Sequence, residues 1–295
     1  MTIREALRLA RQRLANSDSP DLDAQLLLMR ALHVERVFLF AHPEHELSPA
    51  RRCLYQHWLQ RRATGEPVAY ILGVAGFYDI ELSVNPSVLI PRPESELLLE
   101  EALRLTAHAP AAVVADIGTG SGALAIAYKR RCSQATVYAT DISAAALETA
   151  KFNARRNGVS LQFLRGDLGL PLSERGIQVD LLMANLPYIA SEDLPQLAVS
   201  AYEPRLALDG GLNGLGCIRA LLSQVAAISA PGAHILLEIG AGQGQAVQRL
   251  AQEVCGLEAA ILRDYAGLDR IARLRISTPS LPRQVKGRPS RAESA

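Results

Sequence analysis

The sequence predicts an α/β protein with a small helical domain in front of it. Three observations carry this. Apolar strand-like runs alternate with helical periodicities over residues 111–275, a glycine-rich turn follows directly on the first of those runs, and residues 1–70 carry apolar residues at helical spacing.

The helical part comes first. Leu7, Leu14, Leu22, Leu26, Leu27 and Met29 recur near the helical period, broken by the small polar stretch 16–20. Asp21 and Asp23 then supply the acidic residues that a helix N-terminus favours. After the apolar segment Val37-Phe38-Leu39-Phe40, Ser48-Pro49 predicts an N-cap with proline in the first turn, and Leu54, Tyr55, Trp58 and Leu59 form the buried face of the helix that follows. His42, His45 and His57 have no acidic or cysteine partner at a ligand spacing, so no metal site is expected there.

A linker over residues 71–93 is expected next. Phe77 to Val84 alternates apolar and polar residues as one half-buried strand, and Tyr70-Ile71-Leu72-Gly73 supplies its hairpin partner. Leu89-Ile90-Pro91-Arg92-Pro93-Glu94-Ser95-Glu96 is stiffened by two prolines, and Pro93 leads into a helix carrying Leu97 to Leu103. Arg92, Glu94 and Glu96 read either as a functional wall or as a helix cap with solvated charges, and the residues alone favour the cap.

The main domain, 94–276, opens its sheet with Val113-Val114-Ala115-Asp116, which runs into Gly118-Thr119-Gly120-Ser121-Gly122 and an amphipathic helix with Leu124, Ile126 and Ala127. Glycines at such a turn let backbone approach a ligand without a Cβ in the way. Thr136 to Thr140 leads to Asp141, about 20 residues past the turn, where an acidic residue can hold ribose hydroxyls. The spacing is G-x-G-x-G, not the dinucleotide G-x-G-x-x-G, and Asp116 sits where it would repel a pyrophosphate and attract an ammonium. Asp167, after the strand Leu161 to Leu164, is suited to accept from an adenine amine. Together these favour S-adenosyl-L-methionine over a dinucleotide.

Val179 to Ala184 reads as a buried parallel strand, and Asn185-Leu186-Pro187-Tyr188 lies beyond its carboxyl end, where open α/β sheets bind ligands. Pro187 has no N–H and holds Leu186 extended, so this loop offers acceptors to an NH₂ donor; it also reads as an ordinary turn. Ser191 to Tyr202 is a polar loop able to cover a substrate, with Glu203-Pro204 and Gly210-Gly211 as a pocket wall. Ala233 to Gly240 is a further strand, the turn Gly242 to Gln245 a plain strand-to-helix connection, and Leu262–Tyr265 with Arg270–Leu274 a last hairpin.

Composition narrows the classes. The 295 residues are 49% hydrophobic and 21% charged, with a net charge of +1, so no basic domain points to a nucleic-acid backbone. Cys53, Cys132, Cys217 and Cys255 show no CxxC and read as free thiols. Arg4, Glu5 and Arg8 interrupt the first apolar run, and no stretch reaches the length of a membrane span, so a soluble cytoplasmic monomer is expected. The tail 277–295, rich in Pro, Ser, Arg and Lys, is expected to be disordered, with Arg283, Lys286, Arg288 and Arg291 solvated.

The segments Leu89–Glu96, Asp116–Gly122, Asn185–Tyr188 and Glu203-Pro204-Arg205-Leu206-Ala207-Leu208-Asp209-Gly210-Gly211 together resemble the release factor glutamine methyltransferase family, over a match from Asp21 to Ala272. An N-P-P-Y type motif alone is shared with nucleic-acid amino-methyltransferases; the Pro-Arg-Pro junction and Gly210-Gly211 make the likeness specific. The resemblance implies a class I, Rossmann-like, S-adenosylmethionine-dependent methyltransferase that modifies the glutamine side-chain amide in the GGQ motif of class I peptide chain release factors. It implies cofactor binding by Gly118 to Gly122, Asp141 and Asn185, to which the residues add Asp116, Asp167 and Leu168, and a glutamine pocket of Asn185, Leu186, Pro187 and Tyr188, with Arg92 and Glu94 on the substrate side.

Two positions depart from the pattern: Leu186 replaces the first motif proline, and Leu168 stands where the family often has an aromatic over the adenine. Leu186 keeps its carbonyl as an acceptor, and Leu168 covers without stacking.

An amide nitrogen is a poor nucleophile, its lone pair being delocalised, and no strong base stands near the motif. Positioning is the workable route: the Asn185 side-chain oxygen and the Leu186 carbonyl hold the NH₂, Tyr188 packs on the amide plane, and near-attack placement lowers the barrier by ~7–11 kcal/mol. Alternatives are another protein glutamine, an exocyclic amine in nucleic acid, and a non-catalytic release-factor partner; the intact Asn185 and Asp141 weigh against the last.

Overall fold

In the computed structural model, which describes residues 1–277, five helices come first: α1 (Ile3–Arg13), α2 (Pro20–Leu32), α3 (Arg36–Ala41), α4 (Pro49–Ala63) and α5 (Val68–Leu72). Their starts follow local chemistry. Thr2 and Glu5 form a reciprocal capping box on α1, and Ser48 accepts from the Arg51 N–H ahead of Pro49 on α4. Ile3, Leu27, Leu28, Tyr55 and Leu59 close a common core, and the Tyr55 hydroxyl donates to the Ala24 carbonyl at 3.1 Å.

The hairpin is shorter than expected. It pairs β1 (Val74–Phe77) with β2 (Ile80–Ser83), antiparallel, around Tyr78-Asp79, where Tyr78 takes φ 54°. Residues 70–72, expected as a strand, are helical. Five apolar residues are too few for periodicity to separate helix from strand, and here Pro67 opens a turn that Gly73, at φ 71°, terminates.

The rest alternates helix and strand: α6 (Glu94–Leu105), β3 (Val113–Ile117), α7 (Ala123–Arg131), β4 (Thr136–Asp141), α8 (Ala144–Arg156), β5 (Gln162–Arg165), α9 (Leu170–Ser173), β6 (Val179–Ala184), α10 (Gly216–Ile228), β7 (Ser229–Glu238), α11 (Gly244–Cys255), β8 (Ala260–Arg263) and β9 (Asp269–Arg275). The sheet order is β5-β4-β3-β6-β7-β9-β8, parallel except for β9, so the chain moves outward from β3 and then crosses over to β6. The last hairpin is present as the sequence predicts, with β8 beginning two residues earlier than expected and β9 enclosing Arg270–Leu274. The α7 helix is not amphipathic: Ala123 through Tyr128 are all buried, and only Lys129-Arg130-Arg131 reach outward. Helices on both faces bury β3 and β6, which is why those strands read as continuous apolar runs.

This order puts the topological switch between β3 and β6, the place where a crevice opens at the strands' carboxyl ends. Ile117 pairs with Ala184, and Ala184 with Leu237, so Gly118, Asn185 and Glu238 emerge side by side. The expected disordered tail lies, but for Ser277, outside the described residues.

Candidate functional site

Beyond β3 the chain turns back on itself. Gly118, Gly120 and Gly122 take φ values of 72°, 55° and 85°, a region that side chains disfavour. The Gly118 and Thr119 N–H groups both donate to the Thr140 carbonyl at 2.9 Å, which ties the turn to β4. Asp141 finishes the anchoring: one carboxylate oxygen accepts from the Gly120 N–H and the other from the Ser143 N–H, each at 2.9 Å. Asp141 thus shapes the glycine turn as well as facing the cavity beside it.

Asp116 is 1% exposed, and one of its oxygens accepts from the Thr119 hydroxyl at 2.7 Å and the Ala125 N–H at 3.2 Å. Burial pushes its carboxyl up to about 6, against the pull of those two hydrogen bonds. Burial also raises Asp141. Asp167 stands exposed at the rim, and Leu168 beside it takes φ 49°, pinned by the Thr140 hydroxyl donating to its carbonyl at 2.9 Å.

Beyond β6, Asn185 donates through Nδ2 to the Ser95 hydroxyl at 2.9 Å, and Ser95 donates to Glu238 Oε2 at 2.6 Å. Asn185 Oδ1 and the Leu186 carbonyl accept from no group among the described residues. Leu186 is buried and reaches under the glycine turn: a Cβ on Gly118 would lie 3.0 Å from its Cδ2. Gln243 braces the loop from behind, taking the Gly240 N–H at 2.8 Å and donating to the Tyr188 carbonyl at 3.0 Å. Gly210 also stands behind it, not on the cavity wall: a Cβ there would come within 2.7 Å of the Pro187 carbonyl.

These pieces enclose one cavity of about 320 Å³. Asp116, Gly118 to Ser121, Asp141, Asp167, Leu168, Asn185, Leu186 and Pro187 meet there as the sequence predicts, while Gly122 packs instead against Ile126 and Ala150. Tyr188 is turned away from that cavity toward Gly240 and Glu238, in a neighbouring hollow, and burial first, then the Glu238 charge, push its phenol up to about 12. Arg92 does not line the cavity either; it forms an ion pair with buried Glu203, whose Oε2 has no partner. Glu94 is exposed on the first turn of α6, and Glu96 accepts from the Tyr78 N–H at 2.8 Å, holding the hairpin. Phe38 packs against His42 and His45, with ring centroids 4.4 and 5.4 Å away.

The sequence reading missed Ser95 and Glu238. Ser95 sits between Glu94 and Glu96, two of the three charged residues considered in its segment, and Glu238 ends a strand adjacent to β6. The rule that strand ends carry the site, applied to β7 as it was to β3, β4 and β6, would have found the glutamate. Among the described residues the cavity presents three carboxylates and no Lys, Arg or His. Such a lining attracts a cationic, hydroxyl-bearing ligand and repels a phosphate, while the two free acceptors beyond β6 suit an NH₂ group.

Comparison with known proteins agrees with this geometry. Residues 5–73 match the family model described as the PrmC N-terminal domain, and residues 114–203 match a methyltransferase domain model. The chain is 43% identical over 276 residues to the release factor glutamine methyltransferase of Moorella thermoacetica, covering 92% of this chain and 97% of that one. It is 38% identical to the Bordetella pertussis protein of the same name, covering 90% and 98%. Among solved structures, a methyltransferase from Pyrococcus furiosus superposes with a TM-score of 0.50 at 14% identity, over 68% of this chain and 90% of that one. A 16S rRNA N2 G1207 methyltransferase of T. thermophilus gives 0.50 at 20% identity, over 69% and 49%. These two show the fold.

Proposed function

The chain belongs to the release factor glutamine methyltransferase family, and from that premise we propose that it methylates the side-chain amide nitrogen (N5) of the GGQ glutamine in class I peptide chain release factors. It is an S-adenosylmethionine-dependent methyltransferase. The observation that carries the reading is the pair of unspent acceptors, Asn185 Oδ1 and the Leu186 carbonyl, beside a cavity with three carboxylates and no cationic side chain.

The residues present fit S-adenosyl-L-methionine. Nothing lies within 4 Å of a Cβ built on Gly120, so the turn leaves open space against the cavity. Asp116, buried and without a cation of its own, would hold the ammonium; Asp141 would take the ribose hydroxyls on the lone pairs left by Gly120 and Ser143; Asp167 and Leu168 would receive the adenine. When bound, the cofactor would supply a methyl on a cationic sulfur; the positive charge that leaves sulfur would pass to the amide nitrogen and depart with its proton, so what the chain must provide first is orientation of that nitrogen.

The chain's own part is to orient. Asn185 Oδ1 and the Leu186 carbonyl accept the two N–H bonds of the amide, which fixes the nitrogen's lone-pair axis toward the cavity. Pro187 has no N–H to compete, and Gly210 and Gln243 keep the loop from relaxing. Tyr188, turned into the neighbouring hollow, packs behind this loop and not on the amide plane within the cavity. The proton is released to water during or after transfer.

In this reading residues 1–70, with Arg92 and Glu94 at the junction, hold the protein substrate, residues 71–93 connect, and residues 94–276 carry the chemistry. A net charge of +1 supports a protein substrate over nucleic acid, and the reading includes a cytoplasmic monomer. Among the described residues no helix is long and apolar enough to cross a membrane.

The test is methyl transfer from labelled cofactor to purified release factor with its GGQ glutamine intact or replaced. Label on the intact factor only is expected, and Asn185→Ala should abolish transfer while cofactor still binds. Label on the replaced factor, or full turnover by Asn185→Ala, overturns the reading.

A further inference from the structure

The carboxamide of an asparagine is nearly symmetric in shape, and rotation by half a turn exchanges its acceptor for a donor. Presented with Nδ2 instead of Oδ1, Asn185 would repel an incoming NH₂ group. Something must therefore decide which end faces the cavity, and the side chain itself does not.

Behind Asn185 stands a buried polar chain that no ion pair explains. Ser95, from the first turn of α6, and Glu238, from the end of β7, are 4% and 1% exposed. Their hydroxyl and carboxylate are joined at 2.6 Å, and Glu238 Oε1 has no partner. Arg270 on β9, whose charge acts on Glu238, gives its Nε and Nη2 to Asp264 at 3.3 and 3.0 Å. A carboxylate buried with so little compensation costs several kcal/mol unless it is protonated.

We propose that Ser95 and Glu238 are positioning residues that set the orientation of the Asn185 amide, so that Oδ1 and not Nδ2 faces the substrate. The inference rests on the reading of Asn185 as the substrate's acceptor. Its logic is a count of protons. An ionised carboxylate only accepts, so the single Ser95 proton goes to Glu238 Oε2. Ser95 Oγ is left with lone pairs toward Asn185, which must answer with an N–H; Oδ1 is then the end left over for the cavity. The assignment follows from the chemistry of the three groups, whichever way the amide is drawn.

The same count makes the device reversible. A proton on Glu238 Oε2 turns that oxygen into a donor, Ser95 can turn its own proton toward Asn185, and the amide is free to rotate. The groups facing Glu238 are Ser95 and Glu94 from α6, Tyr188 from the loop after β6, and Arg270 from β9. Burial, reinforced by Glu94 and opposed by Ser95, Arg270 and Tyr188, pushes the carboxyl up to about 7. Turnover should therefore have an acid limb near neutrality.

The experiment compares wild type with Ser95→Ala, Ser95→Thr and Glu238→Gln for turnover, KM for release factor, cofactor affinity and melting temperature. It also follows the Asn185 side-chain ¹⁵N–¹H₂ signal by NMR across neutral pH. Losing one oriented hydrogen bond predicts roughly a ten- to hundredfold lower kcat for Ser95→Ala, with KM and cofactor affinity within about twofold. Ser95→Thr, which keeps the hydroxyl, should recover most of that loss, and Glu238→Gln should lose the acid limb. In wild type the Asn185 amide protons should exchange slowly above the limb and quickly below it, and quickly throughout in Ser95→Ala. Unchanged kcat and slow exchange in Ser95→Ala overturn the proposal, as does a loss shared equally by kcat, cofactor affinity and melting temperature that Ser95→Thr does not recover. A wild-type chain inert on release factor overturns the substrate reading instead, and the NMR signal still decides the orientation.

Discussion

Asp116 shows how a single buried side chain sets a pH dependence. Its carboxyl is pushed up to about 6 from an ordinary value near 3.8, so between those limits the folded protein keeps a proton that the unfolded chain has lost. Stability contributed by that proton is present at low pH and declines as pH rises through the window, by an amount on the order of 3 kcal/mol at about 1.4 kcal/mol per unit. Binding of a cationic ligand runs the other way, since it needs the ionised form. Cofactor affinity measured by calorimetry should fall as pH drops through about 6 in wild type, and Asp116→Asn should bind weakly with a flat profile. An equally steep profile in Asp116→Asn would assign the dependence to another group. At this scale the sequence was a good guide to which carboxylates meet, because the alternation of strand and helix fixes where strand ends lie. It did not show that Asp116 is spoken for by Thr119 and Ala125, since those bonds depend on how the turn folds back.

The glycine turn makes a prediction at the level of the element. Gly118→Ala meets two obstacles, a φ of 72° and Leu186 Cδ2 at 3.0 Å, whereas Gly120→Ala meets only its φ of 55° in open space. Both should lose roughly 1–2 kcal/mol of stability from the backbone alone. Only Gly118→Ala should also displace Leu186 and so lower turnover on release factor beyond the loss in cofactor affinity; equal kinetic defects in the two variants would show that the Leu186 contact is immaterial. The strand-to-turn elements were legible because a buried parallel strand is an unbroken apolar run and glycine marks its end. Val68 to Leu72 was not, because five apolar residues fit one turn of helix or one short strand equally well, and Pro67 and Gly73 decide between them.

Across the whole molecule, long-range polar contacts join parts that the sequence keeps far apart. Arg92 reaches Glu203 from 111 residues away, and the Tyr202 hydroxyl donates to the Thr64 carbonyl, so the loop between β6 and α10 is tied to the helices in front. Arg92→Ala strands a carboxylate that is 1% exposed. Because Arg92 itself is 33% exposed, the expected loss lies at the lower end of roughly 3–5 kcal/mol. Denaturant unfolding should register that loss, and Arg92→Met combined with Glu203→Leu should restore much of it; an unaffected Arg92→Ala would mean that water replaces the guanidinium. The sequence by itself determined the order of elements, the residues at the strand ends and, through its motifs, the family, since each is written in local spacing. The tertiary structure alone decided which partner each polar group takes. Tyr188 faces Glu238 and not the main cavity, Arg92 answers Glu203, and Asn185 is held by a serine 90 residues upstream and a glutamate on the next strand. Such pairings depend on which side chains share a buried volume after the sheet has closed, and nothing in their spacing along the chain encodes that.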